Sequence, residues 1–394
     1  GGYAEAFDVL ARLEQKGNKY PMLYYAMGYY SEMMNNKDKA LSYYKKAASM
    51  PSDYCYPFRH EAIYMLNAAM AMNPADARAP YYLGNLYYER QPEKAIALWE
   101  KALNLDKSFY ITPRNLGWAY REKHDYKKAL SYVQQAFACN NKDARLLFEL
   151  DELNDLNKVS PKARYDFLKK NITLAKTRPE TTLRFATCAV ENGKYEEAID
   201  IMNNNFIIES EGARDMQDNY LDSYALLALR SADKKQYDKA LGYMDKALSY
   251  PIGLYGRSIY ARLYYITGCI NQKKGDTAKA QEYFRKAADV TMDRPDWECN
   301  FNKGMSLIAL GKQQEGKQLL QDILDNLNKT STTVFGQFDG GDGSADKKLA
   351  NDHYYAGLAY EGLGNVNKAK EEYNEALALN PSHTWAHAHL SALK

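Results

Sequence analysis

Four glycine–alanine pairs recur at one fixed separation along the chain: Gly28 and Ala40, Gly117 and Ala129, Gly268 and Ala280, Gly357 and Ala369, each twelve residues apart. A returning spacing constrains the fold more than any local motif, because it makes the chain a series of like repeats before any one residue has a role. Each of these glycines lies in a segment that otherwise reads as helix, where glycine costs about 1 kcal/mol relative to alanine. A recurring cost needs a recurring reason, and the close crossing of two helices supplies one.

Set by the glycine, the frame over 21–54 gives a helix from Pro21 to Asn35, a turn at Asn36 and Lys37, and a helix from Asp38 to Met50, with Met27, Gly28, Ala40, Tyr44 and Ala47 facing inward. The same template places Leu83, Gly84, Tyr87, Ala95, Trp99 and Ala102 in a repeat near 77–107, and Leu116, Gly117, Tyr120, Ala129 and Ala136 in one near 110–142. It fits Gly193, Tyr195 and Ala198 near 179–208, then Tyr237, Ala240 and Ala247 near 221–252, then Gly268, Gly275, Ala280, Phe284 and Ala287 near 261–292. The cleanest match is 350–383, with Gly357, Tyr360, Gly364, Ala369, Tyr373, Ala376 and Pro381. Some stretches depart. Residues 143–176 keep helical periodicity without the signature, and 297–327 set Gly316 where alanine is usual. Residues 58–74 read as a second helix, with Ala62, Leu66, Ala69 and Pro74 in register, that no first helix precedes. Residues 3–18 read as another half repeat, with Tyr3, Ala6, Leu10 and Leu13 in register. Residues 329–345, rich in Thr, Gly and Asp, read as an inserted loop.

These residues resemble the tetratricopeptide repeat, a helix-turn-helix of 34 residues in which small side chains sit where the helices cross and aromatic ones beside them. The resemblance covers most of the chain. It implies an all-α fold, a right-handed superhelical solenoid of antiparallel helix pairs. Since one such repeat cannot bury its apolar face alone, residues 1–394 are expected to stack as a single solenoid. A second resemblance covers roughly 57–153, through PFRHEAIYML, DARAPYYLGNLYYERQPEKAIALWEKAL, RNLGWAYRE and DARLLFELDEL. This run is similar to the tetratricopeptide tail of large bacterial proteins whose amino-terminal part is an uncharacterised, carbohydrate-active-like β-sandwich domain. It implies a bacterial protein, cytoplasmic or periplasmic, in which any sugar-handling residues lie outside this chain and the tail serves as scaffold. The half repeat at the start and the missing initiator Met agree with a piece of a longer protein.

Lys and Arg number 52 against 50 Asp and Glu, so no global field gathers nucleic acid or an anionic membrane. No apolar run approaches the roughly 20 residues that cross a bilayer, so no membrane insertion is expected. Cys55, Cys139, Cys188, Cys269 and Cys299 have no CxxC spacing and read as buried thiols rather than zinc ligands or a disulfide framework. His383 and His387, four apart, could share a metal on a helix with His389 pointing elsewhere, but nothing at suitable spacing completes the ligand set, and the segment reads as a solvent-facing helix. Asp339, Asp342 and Asp346 lack the ligand order and closing Glu of an EF-hand, which leaves a flexible loop as the reading. There is no GxSxG, HExxH, phosphate-cradling glycine loop or Cys–His dyad. The chain is therefore read as non-enzymatic, with no cofactor and no metal.

Thirty-five tyrosines are the better lead. Tyr24, Tyr44, Tyr87, Tyr120, Tyr195, Tyr237, Tyr360 and Tyr373 occupy packing positions of the repeat. A second set falls on the face that lines the inner groove of tetratricopeptide-repeat proteins: Tyr25, Tyr29 and Met33; Tyr81, Asn85 and Tyr88; Arg114, Trp118 and Arg121. Spacings of three and four place each triplet on one helical stripe. Three adjacent stripes would form a continuous surface of the residue types that dominate binding hot spots. A chaperone-type carboxylate clamp would need lysine beside Asn85, and none is there. The leading expectation is a scaffold that binds a protein or peptide, including its own upstream domain, in this groove. The alternative is a carbohydrate-related role, in which the stripe stacks sugar rings or the chain carries a sugar-acting domain.

Overall fold

The computed structural model describes residues 2–207, 215–250, 258–292, 296–327 and 345–393. They form twenty-two helices, and no strand occurs among the described residues. The chain divides into two compact units, Gly1–Leu153 and Asn154–Lys394. The division falls inside 143–176, the stretch without the glycine–alanine signature.

The first unit holds α1 (Tyr3–Gln15), α2 (Pro21–Met33), α3 (Lys37–Ser49), α4 (Glu61–Met72), α5 (Arg78–Tyr87), α6 (Pro92–Leu105), α7 (Ile111–Glu122) and α8 (Tyr126–Cys139), followed by α9 (Ala144–Leu156). The second holds α10 (Pro161–Lys170), the short α11 (Ile172–Ala175), α12 (Pro179–Glu191), α13 (Tyr195–Asn204), α14 (Asp215–Asp233), α15 (Tyr237–Leu248), α16 (Ile259–Lys274), α17 (Thr277–Ala288), α18 (Trp297–Ala309), α19 (Gln313–Asn326), α20 (Ala345–Gly362), α21 (Val366–Leu379) and α22 (Thr384–Ala392). Helices joined by short turns pack as antiparallel pairs, α2 with α3, α5 with α6, α7 with α8, and so on to α20 with α21.

The glycines serve a more particular purpose than the alanine spacing suggests. A Cβ on Gly28 would stand 2.5 Å from the Tyr44 ring, one on Gly268 2.6 Å from Phe284, and one on Gly357 2.5 Å from Tyr373. In each pair a ring sixteen residues on fills the space left by the missing side chain. Trp99 does the same at Gly84, one residue sooner because that turn is shorter, and Val133 does so at Gly117. The alanines line the same crossings, with Ala40, Ala129 and Ala369 wholly buried. At the departing pair α18–α19 both crossing positions are glycine. There a Cβ on Gly316 would meet the Gly304 carbonyl oxygen at 2.5 Å, so the two backbones approach where elsewhere a side chain intervenes.

The turns repeat as faithfully as the crossings. Asn36, Asp125, Asp276 and Asn365 each accept the backbone N–H three residues on, from Lys39, Lys128, Lys279 and Lys368, and so cap the second helix of their pairs. The residue before each cap is left-handed: Asn35 at φ 60°, His124 at 58°, Gly275 at 93° and Gly364 at 83°.

Three expectations change. On α1 the inward residue is Phe7, against Tyr43 at 5.6 Å between ring centroids, while Tyr3 and Leu13 are exposed. Glu14 lies on the same side and accepts from the Tyr43 hydroxyl at 3.1 Å. The unpaired α4 packs against α2 and α5 rather than completing a hairpin. Cys139 is exposed, with its thiol against the Lys107 carbonyl, and Cys269 is half-buried, whereas Cys55, Cys188 and Cys299 are buried as expected. The expected loop at 329–345, with Asp339 and Asp342, lies outside the described residues except for its last position, which begins α20.

Candidate functional site

The first unit carries a cleft of about 590 Å³ between the inner faces of α5 and α7, bordered by the segment before α4 and the start of α9. Asp76 sets the start of α5: one carboxylate oxygen accepts the Arg78 and Ala79 N–H groups at 2.8 and 3.1 Å. On α5, Leu83, Gly84 and Tyr87 are buried in the packing, and the largely buried Tyr81 lines the cleft with Asn85 and the following Tyr88. On α7, Leu116 and Gly117 are buried, while Arg114, Asn115 and Trp118 line the cleft.

The polar groups are held in place by one another. Asn85 Oδ1 accepts from the Trp99 indole N–H at 3.0 Å and from the Asn115 amide at 3.1 Å, which joins α5, α6 and α7. The Arg114 guanidinium forks onto Glu149 of α9, with Nε at 2.8 and 3.1 Å from the two carboxylate oxygens. Tyr81 packs edge-on to Phe109 at 5.0 Å and Tyr88 lies 5.1 Å from Trp99. Burial raises the pKa of the Tyr81 and Tyr88 phenols above the ordinary value, with the Glu122 charge adding to the shift at Tyr88. They are neutral donors near neutral pH. Trp118 keeps 46% of its surface exposed at the mouth.

Five of the nine expected groove residues thus come together: Tyr81, Asn85, Tyr88, Arg114 and Trp118. The other four lie elsewhere. Tyr25 is a core residue with no exposed surface, its hydroxyl donating to Asp76 Oδ2 at 2.9 Å. Burial, then the Asp76 charge, pushes its pKa well up. Tyr29 and the exposed Met33 stay on α2, outside the cleft, because α4 packs against both α2 and α5 and interrupts the row of stripes. Arg121 is buried, with its guanidinium 5.3 Å from the Trp118 ring and 3.8 Å from Glu152, and backs the tryptophan from beneath.

Sequence reasoning missed the rim. Tyr54 and Tyr56 border the cleft, and Tyr54 is 89% exposed with a left-handed φ of 59°, an uncommon conformation for a bulky residue. The available signal was the pair Tyr54 and Tyr56, aromatic yet set between Pro51 and Pro57 rather than on a helix. The histidine segment also differs from expectation. His383 caps α22, its Nδ1 accepting from the Ala386 N–H at 3.2 Å, and His389 bonds Glu361 at 2.9 Å; His387 alone of the three is exposed. Trp385 and Ala386 are buried, so this is no solvent-facing helix. Among the described residues no group of three His, Cys, Asp or Glu side chains is placed to hold a metal, and no described helix is long and apolar enough to cross a membrane.

Sequence profiles of the tetratricopeptide repeat match residues 261–291 and 350–383. Tetratricopeptide repeat protein 21B of Xenopus laevis is 22% identical over 318 residues, which cover 73% of this chain. The chain spans about a quarter of that relative, 24% of its length. Among solved structures, YrrB, a TPR protein with an unusual peptide-binding site, is 20% identical with a TM-score of 0.36, covering 56% of this chain and 97% of its own. A tetratricopeptide repeat protein from Parabacteroides merdae is 15% identical with a TM-score of 0.35, covering 73% and 98%.

Proposed function

We propose that this tetratricopeptide-repeat protein is a non-catalytic interaction scaffold whose first unit holds a peptide segment of a partner protein, or of its own upstream domain, in the cleft between α5 and α7. Tetratricopeptide repeats generally mediate contacts between proteins. The observation that carries the reading is the convergence of Tyr81, Asn85, Tyr88, Arg114 and Trp118, from two successive repeats, on one concave space with exposed aromatic rings at its mouth. Trp118 and Tyr54 act as anchors, since large rigid rings gain much contact area for little lost freedom. Asn115, fixed by Asn85, supplies a donor and an acceptor suited to a peptide backbone. Arg114 is already neutralised by Glu149, so the cleft selects by shape and amide bonding rather than by net charge.

The combination of open aromatic faces with neutral amides also favours a second reading, a sugar ring stacked on Trp118 with its hydroxyls on Asn85 and Asn115. One experiment separates them. Affinity capture and a glycan array are run on wild type and on Tyr81→Ala with Trp118→Ala. Under the peptide reading, capture falls by at least about 30-fold, equivalent to roughly 2 kcal/mol. Partner capture retained in full by the double variant removes the cleft from the function. Glycan binding in the wild type, lost in the variant, replaces the peptide reading with the sugar one.

A further inference from the structure

The inner helices of the second unit are joined by a row of interlocked polar side chains. Arg262 on α16 reaches Asp222 on α14 at 2.5 Å and Glu298 on α18 at 2.9 Å. Tyr354 on α20 donates to the same Glu298 oxygen at 3.0 Å. Along an open groove this row would face water. Arg262 is only 7% exposed, with α22 among the elements packed on it. The guanidinium lies 4.4 Å from the centroid of the Trp385 ring. One turn further, His389 bonds Glu361 and lies 5.9 Å from Phe301 of α18, and the His383 ring lies tilted against Tyr354 with centroids 4.5 Å apart.

A helix that merely continued the stack would touch the pair before it, α20 and α21. α22 does touch that pair, packing along α21 and bonding Glu361 of α20, but it also reaches back to α18 and α16, and Ser382, just ahead of it, accepts from Arg164 on α10 at 3.0 Å. The charges match this placement. Asp222, Glu298 and Glu361 outnumber Arg262 along the face, and α22, TWAHAHLSA, has no carboxylate of its own. With nine residues it is also too short to hold helical form in water, so its structure depends on the face that receives it.

We propose that the inner face of the second unit is a ligand groove that the chain fills with its own α22, and that the partner it accepts in exchange is a protein segment of the same chemistry, a short helix free of acidic residues that presents tryptophan and, four residues on, an imidazole. The site is independent of the cleft in the first unit. Tethering gives α22 a high effective concentration, so an outside segment enters only when α22 is released.

The test uses the full chain and a fluorescent peptide of residues 381–393, PSHTWAHAHLSAL. Trp385→Ala removes the anchor, and Ala388→Pro breaks α22 while leaving the groove residues unaltered. Peptide binding at least ten-fold tighter to either variant than to wild type is expected, along with hydrogen exchange of α22 at the rate of the free peptide while α16, α18 and α20 stay protected. Trp385→Phe should keep the groove closed. The proposal is overturned if the peptide binds wild type and both variants equally, or binds none of them while circular dichroism shows the remaining helices intact. Should Trp385→Ala lose its helices outright, the proline variant decides between the same two outcomes.

Discussion

At each helix crossing the side chain that glycine lacks is replaced by atoms of a partner helix, and the identity of that partner sets the cost of change. Gly268→Ala should destabilise by about 1 to 3 kcal/mol in a denaturant titration, because the new Cβ meets the buried Phe284 ring. Phe284→Leu in the same chain should recover part of the loss, as neighbours in contact do not add independently. Gly316→Ala meets a carbonyl oxygen of the facing backbone, so no second side-chain change should relieve it. Tyr25→Phe should cost about 1.5 to 3 kcal/mol, since it strips a buried carboxylate of its hydroxyl donor. The same variant should leave ligand capture by the cleft unchanged at matched folded fraction, and a loss of capture would return Tyr25 to the site.

At the scale of elements, the pairs owe their regularity to caps and turns as much as to packing. Lys235 holds a left-handed φ of 59° at the turn between α14 and α15, where Gly275 and Gly364 stand in the corresponding turns. Lys235→Gly should therefore raise stability by about 0.5 to 1 kcal/mol. A lower melting temperature would mean that the lysine side chain contributes something the turn geometry does not show. Ala129→Leu probes the other half of the signature: its Cβ is wholly buried beside the Gly117 crossing, and overpacking there should cost about 1 to 3 kcal/mol. The elements that escaped the repeat frame, α4 and α22, are those on which the two candidate sites depend. α4 packs against α2 as well as the adjoining α5, and α22 sets Trp385 on Arg262 of α16 as well as packing on the adjoining α21.

At the scale of the molecule, the second unit joins distant segments through charge. Arg164, with no exposed surface, bonds Asp155 at 2.6 Å and Glu191 at 3.1 Å, and Lys347 reaches the other Asp155 oxygen at 2.5 Å. Burial alone would raise the Asp155 pKa, but Arg164, Lys347 and Arg184 outweigh it and hold it below the ordinary value of 3.8. Its contribution is fully present above that value and is lost as pH falls from it through the lowered value of the folded chain. Burial draws His383 down from 6.5 to about 4, with His387 and His389 of its own helix adding to the shift and Glu298 of α18 opposing it. A lowered histidine favours the folded form above 6.5, and that advantage shrinks as pH falls towards 4. Protection of α22 in hydrogen exchange should accordingly weaken between pH 6.5 and 4, before Asp155 titrates. His383→Gln, which keeps a cap acceptor without the titration, should flatten that slope; an unaltered slope would assign it to another group.

The sequence determined what depends on neighbours at short range. The twelve-residue spacing named the helix pairs, and Asn36, Asp125, Asp276 and Asn365 could be read as the turns between them, because caps and crossings involve residues of one hairpin. It also gathered Tyr81, Asn85, Tyr88, Arg114 and Trp118, since successive repeats present equivalent faces. Only the tertiary structure decided which faces stay open. Tyr25 and Tyr81 occupy equivalent positions of their helices and both are buried, yet Tyr25 bonds Asp76 within the core while Tyr81 also forms part of a cleft wall. A stripe on a helix has no means of specifying what will cover it. That is set by elements remote in sequence, as with α22 over Arg262, and burial follows from their arrival rather than from the pattern beneath.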